Sequence, residues 1–269
     1  MRRCSRVRGM MTSCARALLV LSLLAAFSAP AQDVAGRERR LVDIHALLLD
    51  LPAIEAPGAL APGQLDLGLE LTGIPVISGD VGAADKRELT ASDHARLFPR
   101  PRLALGLPAP PGFRAFVGAA YIPPIEVNRI TVNSLGAEAG IAWARRRLSV
   151  GLRAHGVLAH ALSPVSASYV RDRLNVAEGG WDVRAGYELR LAKLSLTPYA
   201  GAGQVWTKGD FRSSVDGGTV HSRHGVAAFY AGARMLFRDH WEGAVEYSMY
   251  PGRLWNPRVR VGYVVNLGW

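Results

Sequence analysis

Six charged residues are spaced so that they could meet in one plane: Glu70, Arg102, Glu138, Arg153, Arg184 and Glu246. Each lies in a segment where apolar residues alternate with polar residues and glycine, and each falls on the polar side. Three acids and three bases at one level can pair, and charge is tolerated in a dry interior only when paired and hydrogen-bonded. The chemistry this suggests is ion pairing, either structural or as a gate that opens when Arg–Glu pairs rearrange. A second group is His155 with Asp182, and Ser163 in the adjoining connection. An acid that orients a histidine base beside a hydroxyl is the pattern of nucleophilic hydrolysis. No hydrolase motif surrounds these residues, so a hydrogen-bonded pair is the plainer reading. A third group, His221, His224 and Asp216, could offer metal ligands. The i, i+3 spacing in a glycine-rich connection is a weak signal, and Gly209 and Asp210 do not complete a calcium loop. No catalytic, cofactor-binding or metal-binding residue is assigned, and no cofactor is expected.

The elements that would position these residues are strands. From Gln64 onward there are ten segments of period 2. Leu65, Leu67, Leu69 and Leu71 alternate with Asp66, Gly68 and Glu70; Leu148, Val150, Leu152 and Ala154 alternate with Ser149, Gly151, Arg153 and His155. Within the segments every charge shares a face with the glycines. The connections alternate in length. Pro108–Gly112, Arg145–Arg147, Arg190–Lys193 and Arg238–His240 are short; Gly73–Pro99, Ile122–Val132, His160–Gly180 and Thr207–Arg223 are long, with a shorter one at Pro251–Pro257. Aromatics on the apolar face gather at strand ends. Phe113, Trp143, Phe237, Trp241 and Trp269 stand at the ends beside short turns, and Tyr121, Trp181 and Trp206 at the opposite ends. Two aromatic girdles around an aliphatic band, with short turns on one side and long loops on the other, indicate a barrel in a bilayer. The expected fold is a closed antiparallel transmembrane β-barrel of about ten strands, with eight or twelve as alternatives. A bore that narrow must hold the six charges as a mid-lumen belt.

The last residues, Arg-Val-Arg-Val-Gly-Tyr-Val-Val-Asn-Leu-Gly-Trp (258–269), alternate strictly and end on an aromatic. This resembles the closing strand of bacterial outer-membrane β-barrels. Leu-Thr-Pro-Tyr-Ala-Gly-Ala-Gly (196–203), Ala231 to Phe237 and Ala244 to Tyr247 resemble strands of small barrels of the OmpA and OmpW type. The resemblance implies an outer-membrane location and contact with lipid and lipopolysaccharide. It also implies recognition of the final strand by the barrel-assembly machinery, and a monomeric protein. The role expected is non-catalytic, structural or surface-exposed. A narrow channel for small solutes is the alternative, and a hydrolase at the rim the second alternative.

The remaining sequence fits export. Residues 1–31 read as a signal peptide, with Arg2, Arg3, Arg6, Arg8 and Arg16 before an apolar run from Ala17 to Phe27 and small residues up to a cut after Ala31. Losing those five arginines lowers the net charge from +10 to +5, and no basic cluster with interleaved aromatics suggests nucleic acid. Cys4 and Cys14 both lie in the signal, so the exported part has no thiol. Residues 32–63 read as a periplasmic helix and linker. Leu41, Ile44, Leu47, Leu48 and Leu51 have helical spacing before Pro52, followed by Pro57, Gly58, Pro62 and Gly63. The helix could plug the barrel, rest on the inner membrane surface, or serve as a spacer. The barrel is expected over residues 64–269. Arg258 and Arg260 are expected high in the bore, facing water near the external mouth.

Overall fold

A computed structural model of the chain describes residues 42–43, 46–47, 54–74, 96–127, 130–163, 171–214 and 217–268. The signal peptide expected over residues 1–31, Asp216, Trp269, most of the helix expected over residues 37–51 and most of the first long connection lie outside them.

The strands are β1 (Gln64–Ile74), β2 (Arg96–Leu107), β3 (Phe113–Val127), β4 (Ile130–Arg145), β5 (Leu148–Ser163) and β6 (Asp172–Tyr187). They continue with β7 (Leu189–Leu191), β8 (Leu194–Arg212), β9 (Thr219–Phe237), β10 (Trp241–Tyr250) and β11 (Leu254–Asn266). β7 continues β6 after a break at Glu188, and both pair with β8, so the wall has ten staves. Every pairing is antiparallel between sequence neighbours, and β11 closes the circle on β1, with Gln64 opposite Asn266 and Glu70 opposite Arg260. Closure leaves no edge strand, which a bilayer requires because no water is there to satisfy free backbone groups.

The short turns cluster at the end where β1 begins and β11 finishes. Arg146 (φ 56°), Ala192 (φ 44°), Arg238 (φ 52°) and Asp239 (φ 61°) take the left-handed conformation there. Positive φ in a two-residue turn matches the right-handed twist of the strands it joins. At the opposite end three connections expected as long loops, Ile122–Val132, His160–Gly180 and Thr207–Arg223, are largely strand among the described residues. β5 and β6 pair up to Ser163 opposite Asp172, and β8 and β9 up to Arg212 opposite Thr219. Alternation survives there beyond the apolar band; on β6 and β8 its polarity reverses, while β5 still carries Leu158 outward at 64% exposure.

That reversal divides the barrel into two zones. In the lower zone Leu67, Leu152, Val183, Val245 and Val261 are exposed on the outside, while charged side chains are buried within. Above Trp181 on β6, Arg173 and Asn175 point outward and Leu174 and Val176 inward. Above Trp206 on β8, Lys208 and Arg212 face out and Phe211 faces in. The upper interior is an apolar cluster of Val132, Val157, Ala159, Ala161, Leu174, Val176 and Phe211 around Val42 and Ala46. A neighbouring cluster packs Leu47 against Val205, Ala228, Tyr230, Tyr250 and Leu254. An apolar exterior with a polar interior suits lipid, and the opposite arrangement suits water.

Candidate functional site

The bore of the lower zone holds the candidate site. Alternation sends every second side chain of each stave inward, and antiparallel register sets which of them share a level. All six belt residues expected from sequence are buried there and joined through ion pairs. Glu70 lies 3.9 Å from Arg102, and Arg102 bonds Glu138 at very short range. Glu138 reaches Arg153 at 3.4 Å. Arg153 donates to Asp182 at 2.6 Å, and Arg184 donates to the other oxygen of Asp182 at 2.8 Å. Arg184 binds Glu246 at 2.5 Å, Glu246 pairs with Arg258 at 3.3 Å, and Arg258 returns to Glu70 at 3.4 Å. Four acids and four bases thus alternate in a closed ring around the bore.

Further charges attach to the ring. Arg100 adds to Glu70 at 3.5 Å, and below it Arg260 bridges Asp66 and Glu242, which also takes Arg234 at 2.7 Å. Tyr199 donates to Glu246 at 2.9 Å, and Ser248 donates to its other oxygen at 3.1 Å. The Arg184 guanidinium also lies 4.4 Å from the centre of the Tyr230 ring, over its electron-rich face. Isolated ions in such a place would cost several kcal/mol each, on the order given by desolvation alone. Alternation gives each acid at least two cationic neighbours and removes most of that cost.

The centre of the ring is filled by the chain's own N-terminal segment. Ile54 donates its backbone N–H to Glu70 at 3.1 Å and accepts from Arg260 at 3.3 Å. Glu55 accepts from Arg102 at 2.7 Å through its carboxylate and from Arg184 at 3.2 Å through its backbone carbonyl. Lower down, Gly58 accepts from Arg114 at 2.7 Å, and Leu60 packs with Ala104 and Val264 beneath Phe116 and Leu236. The wall makes room for this segment: a Cβ on Gly106 would stand 1.9 Å from the Ala61 carbonyl oxygen. The cavity left beside Glu55 and Ala56 is about 20 Å³, space for about one water. Residues 54–60, expected in a periplasmic linker, therefore lie in the bore. At its opposite mouth Asp43 accepts from Ser222 and from Arg253 at 3.0 Å, with His224 also at 3.0 Å.

A closed polar ring inside an apolar cylinder decides the setting of this fold. The chain is a transmembrane β-barrel of the outer-membrane type. The barrel carries its girdle residues on the outside. Phe113 stands opposite Trp143, and Trp241 opposite Phe237, beside the short turns. Trp241 is 62% exposed and meets Tyr263 edge-on at 5.0 Å. Tyr121, Trp181 and Trp206 are exposed farther up the wall, near the polarity reversal. Tyr247 and Trp255, an edge-on outer pair at 5.5 Å, were not singled out by position in the sequence.

Three further expectations need correction. Arg258 and Arg260 are 2% and 1% exposed, within and just below the ring, rather than facing water near the mouth. Register sets them lower: β1 begins opposite Asn266, which brings Glu70 level with Arg260. Asp182 is a ring member held by two arginines, not a partner of His155. Ser163 lies about 26 Å beyond His155 along the same strand, so the three do not assemble. His221 and His224 are on β9 rather than in a loop and face opposite sides of it: His221 meets Asp210 at 2.6 Å outside, His224 meets Asp43 inside. Among the described residues no cluster of three potential metal ligands exists.

No protein-family model and no curated relative matches the chain. Solved structures do. The translocator domain of autotransporter NalP from Neisseria meningitidis is 12% identical, with 76% of this chain covering 87% of that one at a TM-score of 0.44. The N-terminal β-barrel domain of Pseudomonas aeruginosa OprF is 11% identical over 77% of this chain and 100% of its own, with a TM-score of 0.29. Neisserial surface protein A is 11% identical over 76% and 96%, with a TM-score of 0.31.

Proposed function

We propose that the barrel is a non-catalytic outer-membrane protein with a closed bore, whose role is structural or surface-exposed. The observation that carries this reading is the closed ring Glu70–Arg102–Glu138–Arg153–Asp182–Arg184–Glu246–Arg258, with residues 54–56 bonded into its centre. A solute path through this level would require breaking several buried ion pairs together and withdrawing the segment. The charges that a hydrolase would use are already committed to one another. On this reading the exported chain, cut after Ala31, presents its strand extensions and long connections at the cell surface.

Planar-bilayer recording tests the proposal. The mature protein should give no steady conductance, and Glu138→Gln should not create one, because residues 54–60 still fill the bore. Reproducible conductance in the unaltered protein, altered by Glu138→Gln, would instead establish the narrow channel. Conductance appearing only after deletion of residues 32–60 would agree with a bore closed by that segment.

A further inference from the structure

We propose that the outer wall of β6, β8 and β9, from Lys208 just above Trp206 to Arg212 about 20 Å beyond it along the strand, binds the phosphate groups of phosphorylated glycolipid in the outer leaflet. Arg173 stands directly opposite Arg212, and Lys208 directly opposite Arg223. All four side chains point outward and are exposed. Directly opposed side chains on paired strands lie about 4.5–5.5 Å apart at Cβ, where like charges repel. One acid lies among them, Asp210, and it is shared between His221 at 2.6 Å and Lys208 at 3.9 Å. Among the described residues no acid pairs with Arg173, Arg212 or Arg223. Inside the bore the same chain meets each ring arginine with an acid, so the unneutralised exterior contrasts with the balanced interior.

The height of the patch indicates what neutralises it. Trp206 is 51% exposed on the outer face of β8, and Lys208 is the next outward residue, about 7 Å further along. On β6 the outward face passes from Val183 and Trp181 to Asn175 and Arg173. The cations therefore begin where lipid-facing wall gives way to water, on the end carrying the long connections. A phosphate held in the leaflet by its acyl chains is presented there, and two adjacent guanidinium groups can share its oxygens in charge-assisted hydrogen bonds. This inference rests on the outer-membrane reading but not on closure of the bore.

The test uses the full-length mature protein in phosphatidylcholine nanodiscs with and without lipid A. Lipid A should raise the unfolding temperature of the unaltered barrel, and dephosphorylated lipid A should not; this comparison needs no variant. The double variant Arg173→Gln/Arg212→Gln should lose that rise and retain at least tenfold less lipid A through purification. In phosphatidylcholine alone it should be at least as stable as the unaltered barrel, because the repulsion is gone. Should that variant fail to fold, Lys208→Gln/Arg223→Gln serves the same comparison. An equal rise with dephosphorylated lipid A, an unchanged rise in a folded variant, or full reproduction of the rise by inorganic phosphate would overturn the proposal. Bilayer recordings would be untouched by any of these outcomes.

Discussion

The lower and upper zones of the barrel are built from the same strands with opposite polarity. Below Trp181 and Trp206, aliphatic side chains face out and the interior is an ion-pair ring; above them, Arg173, Asn175, Lys208 and Arg212 face out around Leu174, Val176 and Phe211. Strand geometry is indifferent to the change, since period 2 is kept throughout. The solvent decides which face carries which residues. The lower zone must satisfy every interior charge internally, because neither lipid nor a dry bore can do so. On β6 and β8 the upper zone sets polar side chains toward water around an apolar core.

Substitutions can break or sharpen this contrast. The largest effect is expected in the ring. Asp182→Ala removes the shared acceptor of Arg153 and Arg184 and leaves two buried cations short of a partner. It should cost about 3–5 kcal/mol in denaturant unfolding from micelles. On the lipid face, Leu152→Arg should cost about 2–4 kcal/mol when unfolding is measured from lipid bilayers. The same residue introduced above the reversal, as Asn175→Arg, should change stability by no more than about 0.5 kcal/mol. Equal costs at the two positions would place Asn175 in lipid and remove the boundary. Inside the upper zone, Val176→Ala should cost about 1–2 kcal/mol, from roughly 0.8 kcal/mol per buried methylene.

The smallest effect concerns the mouth. Burial pushes the Asp43 carboxyl up, but the hydrogen bonds from His224 and Ser222 and the charges of His224 and Arg253 outweigh it and hold the carboxyl below its ordinary value. Its folded pKa lies below the unfolded one, so its contribution is complete above pH about 4. That contribution is lost as pH falls through the folded value. Asp43→Asn should therefore loosen the mouth by about 1 kcal/mol at neutral pH. Hydrogen exchange at Val42–Leu47 should show the difference from the unaltered protein vanishing at low pH.

The strands, their inward faces and the six belt residues were legible because alternation survives in each segment without knowledge of its neighbours. Register was not. It depends on which residues of adjacent strands meet, which the alternation of a single strand does not carry, so Arg258 and Arg260 sit lower than their place in the last strand suggests. Asp182 and His155 read as a pair from residue type, yet register sets Asp182 opposite Arg153. The strand extensions read as loops because their outward residues are polar where the polarity reverses on β6 and β8. Residues 54–60 could not be located from sequence, since Pro57, Gly58 and Pro62 suit a linker as well as a chain threaded through a bore. Glu55 was their one signal, an acid in an otherwise apolar stretch from Pro52 to Leu60.

Thiol labelling tests the closed bore most directly, because residues 32–269 contain no cysteine. Ala56→Cys places a thiol beside the ring, and Lys208→Cys places one on the exposed outer wall. A charged methanethiosulfonate reagent should modify the folded Lys208→Cys protein rapidly. Ala56→Cys should remain protected until the barrel is unfolded. Equal rates at the two positions in the folded protein would contradict a bore closed by the ion-pair ring and residues 54–60.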